Sequence, residues 1–225
     1  MVPVASDKAP NTSPEHPGGE RRRRADAVRN RALVLAAAEE VFAESGSKAQ
    51  IEEIARRAGV GVGTVCRNFP TKEALREAVF TRLYESLLER AQLALDVPDA
   101  SLAFEQFLVS LPEFHVKHRA FAEQMANELE VAAQPVRDQL MAAITELVVR
   151  AQAAGAIRRD IGPADVSMLL SGVAHATALA GDLQPMLRER YVRIILDGLR
   201  TSGSELPGRP VSFAELRRAK QRRAK

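Results

Sequence analysis

Residues 51–69 read IEEIARRAGVGVGTVCRNF. Ile51, Ile54, Ala55 and Ala58 recur at the spacing that puts them on one face of a short helix. Ala55 is small, so a second helix can approach closely. Gly59 comes at the helix end, where a positive φ is often required, and Val60 is placed to fill the angle between two helices. After Gly61 a second helix carries Val65 and Phe69 inward at i, i+4 and leaves Gly63, Thr64, Arg67 and Asn68 to solvent. Two short helices crossing steeply about a glycine-bearing turn make a helix-turn-helix. The small polar outer face of the second helix suits a DNA major groove. Arg67 has the donors for guanine O6 and N7 or for a phosphate, and Asn68 those for adenine or a phosphate. The same spacing also fits a helical hairpin inside any all-α protein.

No competing chemistry emerges elsewhere. The sequence has no Ser-His-Asp order, no phosphate-binding glycine loop and no carboxylate cluster with metal spacing. An all-α enzyme or ligand-binding protein without a DNA function is therefore the alternative reading, and no catalytic residue, metal or cofactor is expected. Glu39–Glu40 and Glu52–Glu53 read as solvated helix faces. His115 and His118 are three apart and could share a helix face, but no third ligand is evident. Cys66 is the one cysteine, which excludes an internal disulfide and a cysteine-rich zinc site. A thiol switch there would need a lowered pKa that the sequence does not supply.

The elements that must hold this motif are helical. Aromatics are only 4% and Trp is absent, which favours helices over strands. Leu33, Val34, Ala37, Ala38, Val41 and Phe42 recur at helical spacing and predict a helix over 26–45, stopped by Gly46. Further helices are expected over 51–58 and 62–68. Pro70 ends the latter, and Thr71 caps a long helix over 71–95. The second half predicts helices near 101–117, 119–132, 134–154, 163–181 and 185–201. No stretch approaches the roughly 18 apolar residues of a membrane span. No compact apolar run follows a basic start, so a secretory leader and a membrane partner are not expected, and the cytoplasm is the expected location. Charge is uneven: 13 Lys/Arg against 11 Asp/Glu over 1–80, 12 against 16 over 81–200, and 7 against 2 over 201–225. A polyanion should meet the ends rather than the middle. Arg21 to Arg24 suit either the minor groove or the flanking backbone of a duplex, or simply a solvated tail. The Pro/Gly stretch 203–211 leads to LRRAKQRRAK, which reads as mobile although a short helix is possible.

From Arg31 to Phe80 the chain resembles the N-terminal domain of TetR-family transcriptional regulators. The resemblance is carried by RALVLAAAEEVFAESG, IEEIARRAGVGVGTVCRNF and PTKEALREAVF, three linked motifs in order at the family's spacing. It implies an all-α fold of about nine helices. A three-helix DNA-binding domain over 25–72 would precede a larger effector-binding and dimerisation domain over 73–202. A disordered basic tail (1–24) and a linker with a second basic tail (203–225) would flank them. Three departures stand out. Cys66 replaces a Tyr that commonly reaches a DNA phosphate, and Asn68 replaces a common His. Gln50 stands where Ser or Thr often caps the second helix.

The resemblance further implies a regulator, by family habit a repressor. It would bind a roughly palindromic double-stranded operator as a homodimer and be released by an unidentified small-molecule effector. Gly63, Thr64, Arg67, Asn68, Thr71 and Lys72 would face DNA. The dimer would form through Met168, Ser171, His175, Leu179, Tyr191, Ile194 and Ile195 of the last two long helices. An effector pocket would draw on Phe104, Phe107, Phe114, His118, Phe121, Met125, Met141, Met168 and His175. Most of these apolar side chains equally suit a plain core.

Overall fold

A computed structural model describes residues 17–111, 133–177, 180–200 and 204–223. All regular structure among them is helical. The α-helices are α1 (Pro17–Ser45), α2 (Ile51–Ala58), α3 (Val62–Asn68), α4 (Lys72–Leu95), α5 (100–111), α6 (Gln134–Ala153), α7 (Pro163–Thr177), α8 (Gln184–Leu199) and α9 (Phe213–Arg223). The fold class expected from sequence is the one observed. No helix among the described residues is long and apolar enough to cross a membrane.

Helix α1 buries Val34, Ala37, Ala38, Val41 and Phe42, a stripe at the 3.6-residue period. It begins at Pro17, earlier than the apolar pattern suggests. Residues 17–24, read from sequence as part of a tail without structure, are thus helical. Arginine is a good helix former, and a proline at a helix start gives up no hydrogen bond.

Helix α4 joins the two halves of the molecule. Thr71 caps it by accepting from the Ala74 N–H at 3.0 Å. Its buried face runs from Leu75 through Val79, Phe80, Leu83, Leu87 and Leu88 to Ala94, packing on α1 at one end and on α6 along much of its length. Arg82 donates to the Ala32 carbonyl of α1 at 3.3 Å. At the far end Arg150 of α6 donates to the carbonyls of Leu95 (2.6 Å) and Val97 (2.9 Å). Those carbonyls lie where a helix end leaves acceptors without partners.

Helix α5 is started by Asp99, whose carboxylate accepts from the N–H groups of Ser101 and Leu102. It buries Ala103, Phe104, Phe107, Leu108 and Leu111. Gly155 ends α6 at φ 71°. The last two long helices, α7 and α8, pack on each other.

The C-terminal segment does not match its sequence reading as a mobile tail. Ser212 accepts from the Glu215 N–H at 3.2 Å, while the Glu215 carboxylate accepts from the Ser212 N–H at 3.0 Å. This reciprocal capping box starts α9. Arg158 holds the approach to it, pairing with Asp160 and donating to the Ser204 carbonyl, and Asp160 accepts from the Leu206 N–H. Gly162 lets the returning chain come close, because a Cβ there would stand 3.0 Å from that of Pro210. Arg217 of α9 reaches Asp138 of α6 at 3.3 Å.

Arg209, with help from Ser212, holds the Glu215 carboxyl down at about 2, from an ordinary value of 4.5. A depressed carboxyl contributes fully above its ordinary value and loses that contribution as pH falls towards its folded value. The start of α9 should therefore loosen as pH drops from about 4.5 to about 2. Amide hydrogen exchange over 213–223 should rise in that window while exchange over 140–148 stays slow.

Candidate nucleic-acid interface

The helix-turn-helix is held by a small apolar wedge. Ile54, Ala55 and Ala58 of α2 and Val65 of α3 are buried, as is Phe69 just beyond α3. The turn between the helices uses Gly59 at φ 66°, a left-handed conformation that favours glycine. The Val60 N–H donates to the Ala55 carbonyl at 3.0 Å, closing α2. Gln50 makes no side-chain cap on α2.

With Val65 and Phe69 turned in, the other side of α3 faces solvent. Gly63, Cys66 and Arg67 are exposed, and Thr64 and Asn68 are half-buried. Arg67 donates to the Thr64 hydroxyl at 3.1 Å, a contact on the open surface. The Asn68 side chain donates to the Thr64 carbonyl at 2.8 Å, so its amide is engaged with the last turn of α3. A Cβ at Gly61 or Gly63 would meet nothing within 4 Å. The missing side chains leave the outside of α3 open to close approach and fill no need of the protein's own packing. Thr71 is exposed at the N-terminus of α4, beside half-buried Lys72. The first N–H groups of a helix and a nearby lysine suit a phosphate. The six residues read from sequence as facing DNA thus fall on α3 and the adjoining start of α4.

Two features of this head were not legible in sequence. Arg31 of α1 stacks 4.4 Å from the centroid of the Phe69 ring and donates to the Asn68 carbonyl at 3.4 Å. It thereby fastens the C-terminal end of α3 to α1. Glu53 accepts from both Arg56 and Arg57, and Arg57 also pairs with Glu44 of α1. Arg56, and after it Arg57, holds the Glu53 carboxyl down at about 2. Much of the positive charge on α2 is therefore matched within the protein.

Helices α7 and α8 present an apolar outer face. Met168 (52% exposed), Leu169 and Ile194 lie on it, as do Ser171 and His175. Leu170, Val173, Ala174 and Thr177 occupy the buried side of α7. Met168 and His175 are thus exposed, away from the buried face of α7. The helical turn sets them on the opposite side of α7 from the core. Tyr191 and Ile195 are half-buried against the core. Leu183 and Met186 are exposed as well. Phe104 and Phe107 are buried, and Met141 packs half-buried against the same core. Phe114, His115, His118, Phe121, Met125 and Leu179 lie outside the described residues.

Residues 34–79 match the family profile described as bacterial regulatory proteins of the tetR family. Residues 99–201 match the profile described as an SbtR-like transcriptional regulator C-terminal domain. The structure resembles that of a TetR regulatory protein from Mycobacterium vanbaalenii (36% identity, 80% of this chain and 99% of that one, TM-score 0.64). The chain belongs to the TetR family. A TetR regulator from Streptomyces coelicolor agrees (33% identity, 77% and 99% covered, TM-score 0.63). The HTH-type transcriptional regulator UidR of Escherichia coli is 28% identical over 194 residues, 79% of this chain and 96% of that protein. As a TetR-family member the protein is a transcriptional regulator with a helix-turn-helix DNA-binding domain, built here by α1 to α3.

The wedge makes a quantitative prediction. Phe69→Ala should cost about 3–5 kcal/mol in urea unfolding, as for a buried aromatic truncation. Arg31→Ala alone should cost about 0.5–1 kcal/mol, the scale of an exposed cation–π contact. In the Phe69→Ala background the second change should cost measurably less, which a double-mutant cycle reads directly.

Proposed function

We propose that the protein is a transcriptional repressor without catalytic activity of its own. It binds a roughly palindromic operator as a homodimer and is released by a small-molecule effector. The observation that carries the DNA part is the outward face of α3, where Gly63, Thr64 and Arg67 are turned out by the burial of Val65 and Phe69. Arg67 and Thr64 reach the major groove. Thr71, Lys72 and the start of α4 hold a phosphate, and Asn68 serves chiefly to finish α3. Two such helices, one turn of duplex or about 34–36 Å apart, would read two half-sites.

The dimer is supported by the apolar surface of Met168, Leu169, Leu183, Met186 and Ile194, whose burial against a second copy is favourable. The effector would lie beside α5 and α6, whose Phe104 and Phe107 are buried and whose Met141 is half-buried against the same core. An effector that prefers one spacing of the two heads shifts the operator-competent population.

The test is selection of bound duplexes from a random pool, followed by a compound screen for release. Recovery of a palindromic consensus supports the reading, and failure to enrich any sequence overturns it. On that consensus Arg67→Ala should cost about 1–3 kcal/mol and relax one position if the arginine reads a base. If it touches phosphate, all sequences weaken alike. Ile194→Glu should convert the dimer to monomer in sedimentation equilibrium and lower operator affinity with it.

A further inference from the structure

Among the described side chains of α1 before Leu33, at 21–22 and 25–32, none is buried. Among the described side chains of this helix the first buried one is Val34, and Val28 is 71% exposed. This stretch also precedes residue 34, where the match to the family's DNA-binding profile begins. Between Pro17 and Leu33 the arginines are Arg21, Arg22, Arg23, Arg24, Arg29 and Arg31, against only Glu20 and Asp26. Arg56 and Arg57, in contrast, are paired with Glu53 and Glu44. Net positive charge on the head is therefore concentrated on the projecting half of α1.

Arg31 sets which way that half faces. It touches Phe69 and the Asn68 carbonyl, so its side of α1 borders the C-terminal end of α3. By helical register, position 24, seven residues or two turns before Arg31, falls on the same side of α1, and position 21, three residues further back, lies next to it. The edge that meets the recognition helix thus continues outward as a row of arginine positions. At 1.5 Å per residue, residues 17–30 form a rod about 20 Å long. A helix about 10–12 Å across does not enter a minor groove about 6 Å wide, so the minor-groove role open to a flexible arm is closed to this segment.

The geometry points to residues 17–30 of α1 as a second DNA contact, a rigid basic rod that lies along the phosphate backbone flanking each operator half-site. It rests on the duplex-binding reading above. Its partner is the polyanionic backbone and not the bases. It adds affinity and salt dependence while leaving sequence preference to α3.

The experiment compares the full chain with Arg21→Gln/Arg22→Gln/Arg23→Gln/Arg24→Gln and with the matching four-lysine variant. The probes are two duplexes carrying a consensus that the full chain selects, one cut at the edges of the consensus and one with ten added base pairs on each side. For the full chain the flanked duplex should bind at least tenfold tighter than the trimmed one. The glutamine variant should lose that advantage, and its salt slope should fall by about 0.9 for each phosphate contact removed. It should enrich the same consensus, and the lysine variant should restore both affinity and slope. A glutamine variant with unchanged flank advantage and salt slope overturns this inference alone. A glutamine variant that enriches a different consensus also overturns it, because the rod would then be reading bases. If the full chain selects no duplex, the reading of function fails and this inference falls with it. Circular dichroism of each variant verifies that the helical fold is retained.

Discussion

A helix of seven residues does not persist in water by itself, because the cost of nucleating it is not recovered over so short a run. Helix α3 is such a helix, and everything the protein does with DNA requires it to hold its shape. What maintains it is the insertion of Val65 and Phe69 between α1 and α2, closed from above by the Arg31 guanidinium. These contacts also set its rotation. Once two of its side chains are committed inward, the remaining positions have no freedom to choose which way they face. The polar surface is thus a by-product of the apolar one.

Around that wedge the head is braced by charge. Arg57 of α2 pairs with Glu44 of α1 and with Glu53 of its own helix. Such exposed pairs add little to stability, but they cancel positive charge on α2 that would otherwise spread the field of the head. Helix α4 then carries the head to the rest of the molecule. It is tied to α1 through Arg82 and to α6 through Arg150, so displacement of α6 and displacement of the head share one rigid element.

The helical layout and the inward positions of the head were legible because they rest on periodicity and on glycine and proline chemistry. Gly59 announces its left-handed turn, Thr71 its cap, and Val65 with Phe69 their burial. The same logic failed at both ends of the chain. Sequence composition near the N-terminus is polar and proline-bearing, so with no apolar stripe the outer half of α1 leaves no periodic signal, although its arginines are sound helix formers. The C-terminal helix has a local signal of its own: Ser212 and Glu215 have the spacing of a capping box, and Phe213 and Leu216 supply an apolar edge. Arg31 over Phe69 was beyond reach, since it joins residues 38 apart through a packing angle no local pattern encodes. The outward setting of Met168 and His175 is illegible in sequence for another reason. Their residue types suit a pocket, and only the phase of α7 against its neighbours shows that they point outward.

Cys66 has a practical side. It is the chain's one cysteine and it is exposed on the outer edge of α3, so a maleimide-linked fluorophore would attach at a single defined point beside the residues proposed to meet the duplex, with no engineered mutation. The same accessibility is a hazard in storage. Air oxidation would join two molecules through the exposed side of α3, and a preparation kept without reductant would accumulate covalent pairs in which those two surfaces cover each other.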